Sequence, residues 1–154
     1  MEHVDAYHFP HMDSSPLTQV KSSIKNLQQH NVTFEWYWLD IETFNWPSNH
    51  GANLDFIANL ALGANDMGHH IGIYSSESYS WKPITGDSDE FDYAPLWWAR
   101  YEDAQNFTSF SPFGGWDQPS IHQYSGSATL CDVGVDLNWA PQYPVYPAGG
   151  KATR

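Results

Sequence analysis

A chain of 154 residues is most simply one domain, long enough to bury about two-thirds of its unfolded surface. Its 18 acidic residues against 6 basic ones give a formal net charge of −12. That balance offers no basic patch for phosphates and argues against nucleic acid or an anionic membrane as a partner.

Residues 4–9 read as a first strand, closed by Pro10. Ser15 as N-cap and Pro16 at the first helical position open a helix in which Leu17, Val20, Ile24 and Leu27 recur at helical spacing to about His30. Residues 34–42 read as a second strand, since aromatic and β-branched side chains dominate and neither Gly nor Pro interrupts them. Strand alternation sets Trp36, Trp38, Asp40 and Glu42 on one face and Glu35, Tyr37, Leu39 and Ile41 on the other. After a polar loop with Trp46-Pro47, a second amphipathic helix is expected over 53–67. Its apolar stripe is Leu54, Ile57, Ala58, Ala61 and Leu62, and Gly68 ends it.

Further strands are expected at 70–74, 95–101, 120–125 and 135–139, with a brief helix at 76–82. The segment 102–117 reads as a loop and 126–134 as a turn. The Pro- and Gly-containing stretch 141–154 reads as an extended or disordered tail beyond a domain spanning 1–140. Strands alternating with helices in the first half give an α/β class with parallel crossovers. The later strands lose their helices, which points to an irregular barrel rather than a doubly wound sheet.

No apolar run reaches the roughly 18 residues that a membrane helix needs, and Met1–Tyr7 have neither the basic start nor the apolar stretch of a signal peptide. The lone Cys131 excludes an intrachain disulfide. Sequons at Asn31 and Asn106 would permit glycosylation on a secretory route. No glycine fingerprint or Walker motif occurs, so no nucleotide cofactor is expected.

Two carboxylates two residues apart on a strand, as Asp40 and Glu42 are, have Cα atoms roughly 6.5–7 Å apart. At a strand end lining a cleft, mutual repulsion and burial hold one of them protonated, which acid-assisted hydrolysis requires. An exposed strand end with two solvated acids fits the spacing equally well. Asp136, on the last strand, joins the same mouth if the carboxyl ends of parallel strands converge there. Tyr7, Tyr74, Trp97, Trp98, Tyr101 and Tyr124 lie on the other strands, where rings serve a core more often than a sugar. The 16 % aromatic content suits both roles. His8, His11 and Asp13, with His69-His70, offer metal-ligand chemistry but no recognised ligand spacing, so no metal site is expected. Cys131 beside Asp132 makes a poor nucleophile, and no G-x-S-x-G occurs.

Six segments in order carry a resemblance: Val4–Pro10, Trp38–Glu42, Gly72–Ser75, Leu96–Tyr101, Gln123-Tyr124 and Val135–Asn138. Together they resemble glycoside hydrolase family 25, the Chalaropsis-type lysozymes. The resemblance implies an irregular, TIM-like β/α barrel that hydrolyses the β-1,4 bond between N-acetylmuramic acid and N-acetylglucosamine in bacterial peptidoglycan. It implies Glu42 as general acid, with Asp40 stabilising the oxocarbenium-like state or orienting the acetamido group, and Asp136 as the acid of the last strand. Tyr7, Tyr74, Trp97, Tyr101 and Gln123 match positions that bind substrate around the cleft. His122 stands where the family usually carries Trp, and is expected to alter one wall.

The family barrel has eight strands, of which this chain is expected to supply six. The first two, one bearing a further Asp, would precede residues 4–9. Two functional expectations follow: a muramidase, and an inactive or glycan-binding remnant. The resemblance further implies peptidoglycan glycan strands as partner, antibacterial defence, a secreted or lysosomal setting, and exposed sheet edges that invite dimerisation.

Overall fold

The computed structural model describes residues 3–144. Its elements are β1 (Ala6–His8), α1 (Pro16–Gln29), β2 (Trp36–Asp40), α2 (His50–Asp66) and β3 (His70–Ser75). A π-helical turn (Glu77–Trp81) runs into α3 (Lys82–Thr85), followed by β4 (Leu96–Ala99), β5 (Ile121–Leu130) and β6 (Val133–Trp139). The six strands lie in chain order in one curled, half-barrel sheet. β1 to β5 are parallel, and β6 returns antiparallel to β5.

All five residues of β2 are buried, because both faces of that strand are covered. Tyr37, Leu39 and the following Ile41 join Val20 and Ile24 of α1 and Ile57, Leu60, Ala61 and Ala64 of α2 in the main core. Trp36 and Trp38 fill the opposite, concave side. Trp38 lies over its register partner Gly72, where an added Cβ would come within 2.3 Å of the indole. Gly63 allows a similar approach of α2 to α1, since a Cβ there would meet Val20 at 3.2 Å.

Several boundaries differ from expectation. Val4 and Asp5 fall outside β1, although the Val4 carbonyl still accepts the Glu35 N–H at 2.9 Å and the Asp5 carboxylate the Trp36 N–H at 3.1 Å. α2 starts at His50, with Asn49 as its cap accepting from the Ala52 N–H at 3.1 Å. Asn53 is buried inside it and donates to the Pro47 and Ile84 carbonyls at 2.9 and 2.8 Å. Its stripe is also rotated, for Ala58 and Leu62 face solvent while Leu60 and Ala64 are buried. Ser15 holds the N-cap position of α1, but its side chain makes no capping bond. Gln19 reaches back instead, accepting from the His11 N–H and donating to the His11 and Ser14 carbonyls.

The largest difference is at 126–134. β5 runs on to Leu130, and Cys131 and Asp132 alone turn the chain, both with positive φ (51° and 63°). Two residues at positive φ match the twist of a tight hairpin, which the glycines at 126 and 134 disguised. Beyond β6, Tyr143 and Pro144 cross to the other end of the sheet, where the Tyr143 hydroxyl donates to Asp5 at 2.5 Å and the Trp36 indole donates to the Pro144 carbonyl at 2.8 Å. The remainder of the expected tail, 145–154, lies outside the described residues. Among those described, no helix is long and apolar enough to cross a membrane.

Candidate functional site

β2 ends at Asp40, but pairing continues for one residue, as the Ile41 N–H bonds to the Tyr74 carbonyl at 2.9 Å. Asp40 is therefore held deep, 7 % exposed, and Glu42 emerges half-buried nearer the mouth. The backbone between them is fixed from two sides. The Ser75 hydroxyl donates to the Ile41 carbonyl at 2.8 Å, and the Trp46 indole to the Glu42 carbonyl at 2.7 Å.

An open cleft of about 210 Å³ lies over this strand end, lined by Tyr7, Asp40, Glu42, Tyr74, Trp97, Tyr101, Gln123 and Asp136. The eight residues marked in the sequence thus share one cavity. Burial, reinforced by the neighbouring Glu42 charge, pushes the Asp40 carboxyl up to about 8. Burial and then Asp136 raise the Glu42 carboxyl as well. Among the described residues Asp40 Oδ1 has no hydrogen-bond partner although it is buried. An uncharged carboxyl tolerates such a position far better than a carboxylate, in line with the raised value.

Gln123 organises the opposite wall. Its Oε1 accepts from the Tyr74 hydroxyl at 2.6 Å and the Tyr101 hydroxyl at 2.9 Å, and its Nε2 donates to Asp136 at 3.2 Å. With donor and acceptor ends both committed, the amide has one orientation. Tyr101 also lies against Gly126, where a Cβ would come within 2.9 Å of the ring. Trp97 stands edge-on between Tyr74 and Trp38, at centroid distances of 5.0 and 5.6 Å, and its indole donates to Asn138 at 2.8 Å. Asn138 and Gly126 are supporting residues to which sequence reasoning gave no role in the site. Only their contacts with marked aromatic rings reveal them.

Residues 1–124 match the family model described as Lysozyme-like protein 1. The chain is 39 % identical over 142 residues to the probable GH family 25 lysozyme 4 of Dictyostelium discoideum, covering 92 % of this chain and 66 % of that protein. It is likewise 39 % identical over 143 residues to lysozyme-like protein 5 of Caenorhabditis elegans, covering 90 % and 66 %. The chain belongs to the family 25 lysozymes. It spans about two-thirds of the length of these two relatives.

Two solved structures share the fold. The Aspergillus fumigatus GH25 lysozyme aligns with TM-score 0.65 at 21 % identity, over 87 % of this chain and 65 % of that one. The Clostridium perfringens spore cortex lytic enzyme SleM aligns with TM-score 0.70 at 23 % identity, over 90 % and 49 %.

Within this lysozyme fold two expectations need correction. Asp136 does not come from the carboxyl end of a parallel strand. It sits mid-way along antiparallel β6, opposite the register shift between Ser125 and Ala128 of β5, and lines the cleft from there. His122 lines no wall of the cleft. As the neighbour of Gln123 on a strand it points to the other face, fully buried. There it stacks on Trp98 at 4.3 Å, with its ring nitrogens 2.8 Å from the carbonyls of Asn106 and Arg100. A flat ring at this position therefore serves outer packing.

Two of the other histidines are held by local contacts. His8 donates to Gln19 at 2.9 Å, and His69 stacks on Phe34 at 4.4 Å. Among the described residues no group of three or more His, Cys, Asp or Glu is arranged to hold a metal ion.

Proposed function

We propose that this chain carries the catalytic cleft of a muramidase, which hydrolyses the β-1,4 bond between N-acetylmuramic acid and N-acetylglucosamine in peptidoglycan. The observation that carries this reading is the meeting of Asp40, Glu42 and Asp136 in one aromatic-lined cleft, with Asp40 and Glu42 both held towards their protonated forms. A glycosidic oxygen is a poor leaving group unless protonated as the bond breaks, so the reaction needs a carboxylic acid at the mouth.

Glu42 is that acid, because it is the more accessible of the pair. Asp40, deeper, faces the sugar's acetamido group: its protonated form offers an O–H donor and its unpartnered Oδ1 an acceptor. Asp136 supplies negative charge that keeps the Glu42 proton in place and then attracts the cationic centre formed at the transition state. Tyr7, Tyr74, Trp97 and Tyr101 offer ring faces and edges to the sugar, with Gln123 holding two of their hydroxyls.

The domain unit in this reading is 1–140, the substrate is a bacterial glycan strand, and the setting is a secreted or lysosomal compartment concerned with antibacterial defence. Replacing Glu42 by Gln should cut release of reducing ends from bacterial walls by about a hundredfold or more, while retention on insoluble peptidoglycan persists. Equal release by Glu42→Gln contradicts the assignment. Wall retention without any release by the unaltered chain favours the second reading, a glycan-binding relative that does not cleave. That reading draws on the same open cleft and its Tyr and Trp rings.

A further inference from the structure

The cleft is small for a polymer. Ligand pockets commonly enclose about 300–1,000 Å³, whereas this one offers about 210 Å³, so most of a bound strand must lie outside it. Two of its lining residues point the way. Phe9 stands two positions beyond Tyr7, just past the end of β1, and Phe44 stands two beyond Glu42, in the bend that follows β2. The two rings meet at a centroid distance of 5.8 Å, tilted by 55°, yet Phe9 is 44 % and Phe44 56 % exposed. Tyr79, 83 % exposed, follows on the π-helical turn, where its carbonyl accepts a hydrogen bond from the Thr43 hydroxyl.

Large rings left in water cost stability unless something covers them in use. The loop that carries Phe44 is fastened rather than loose. The Trp46 indole binds the Glu42 carbonyl and packs edge-on against Phe56 at 5.8 Å, and Thr43 ties the loop to the π-helical turn. A ledge fixed before binding loses little entropy when it is covered.

We propose that Phe9, Phe44 and Tyr79 form a further sugar subsite, binding the next hexosamine of the same β-1,4 glycan strand outside the catalytic cleft. The occupant follows from continuity with the cleft, since Phe9 and Phe44 each stand two residues beyond one of its lining residues, Tyr7 and Glu42. Uncharged rings suit the apolar faces of a pyranose better than the carboxylates of a peptide. This inference rests on the glycan reading of the cleft, and its test separates the two.

Calorimetric titration with β-1,4-linked N-acetylglucosamine dimer and pentamer, on the unaltered chain and on Phe44→Ala, reads the ledge directly. The pentamer is long enough to reach beyond the cleft, and the dimer serves as the short control. Phe44→Ala should weaken the pentamer roughly tenfold and leave the dimer unchanged. Phe9→Ala, at a second exposed position, should repeat the pattern, with circular dichroism confirming that both variants fold. Equal pentamer affinity in both variants overturns the ledge and leaves the cleft reading standing. Absence of binding by either oligomer to the unaltered chain overturns both.

Discussion

At the residue scale the account turns on Asp40. Its carboxyl titrates at about 8 in the fold against an ordinary 3.8, so between those values the folded protein holds a proton that the unfolded chain has lost. The stability that Asp40 contributes is therefore fully present below about pH 4 and is lost as pH rises towards 8, and Glu42 acts in the same direction. Asp40→Asn keeps the shape and removes the titration. It should raise unfolding free energy at pH 8 by roughly 1–3 kcal/mol and change it little at pH 4, as measured by urea denaturation. Equal effects at both pH values would show that Asp40 is not held protonated. A protein that keeps such a group gives up stability where its chemistry is done. The Asp-x-Glu spacing made this pair legible in the sequence. Which of the two lies deeper was not legible, because that depends on how far β2 and β3 stay paired beyond Asp40.

At the element scale, the first half of the molecule was the readable half. Pro16 opening α1, the buried β2 and Gly68 closing α2 are local signals, and local signals survive into the structure. The β5–β6 hairpin was not readable. Its turn uses Cys131 and Asp132 at positive φ, a conformation that Asn or Gly would have advertised. The role of His122 was hidden for a related reason: its partners are carbonyls on β4's exit and in the loop 102–117, far from it in sequence.

Gly72 is the element-scale test. Gly72→Ala would place a methyl 2.3 Å from the fully buried Trp38 indole, which in turn supports Trp97 in the cleft. The variant should lose about 1–3 kcal/mol of stability and weaken glycan binding along with it. A variant as stable as the parent would mean that Trp38 does not rest on this strand.

On the scale of the whole molecule, a half-barrel has two edges. Among the described residues β1 and β6 each pair on one side alone, and the segment through Tyr143 and Pro144 joins the two ends of the arc by bonding to Asp5 and Trp36. We propose that copies pair through the free β1 edge against the repulsion of a net charge of −12. Screening weakens that repulsion, so sedimentation should show association increasing from low to physiological salt. A monomer at every salt concentration would contradict it.

The most direct test of the central claim is the chemistry of the product. Purified peptidoglycan incubated with the chain at mildly acidic pH, reduced and analysed by mass spectrometry, reveals which sugar carries each new reducing end. The account predicts fragments ending in reduced N-acetylmuramic acid, produced by the unaltered chain and not by Glu42→Gln. Fragments ending in reduced N-acetylglucosamine, or no fragments from a chain that binds the wall, would contradict it.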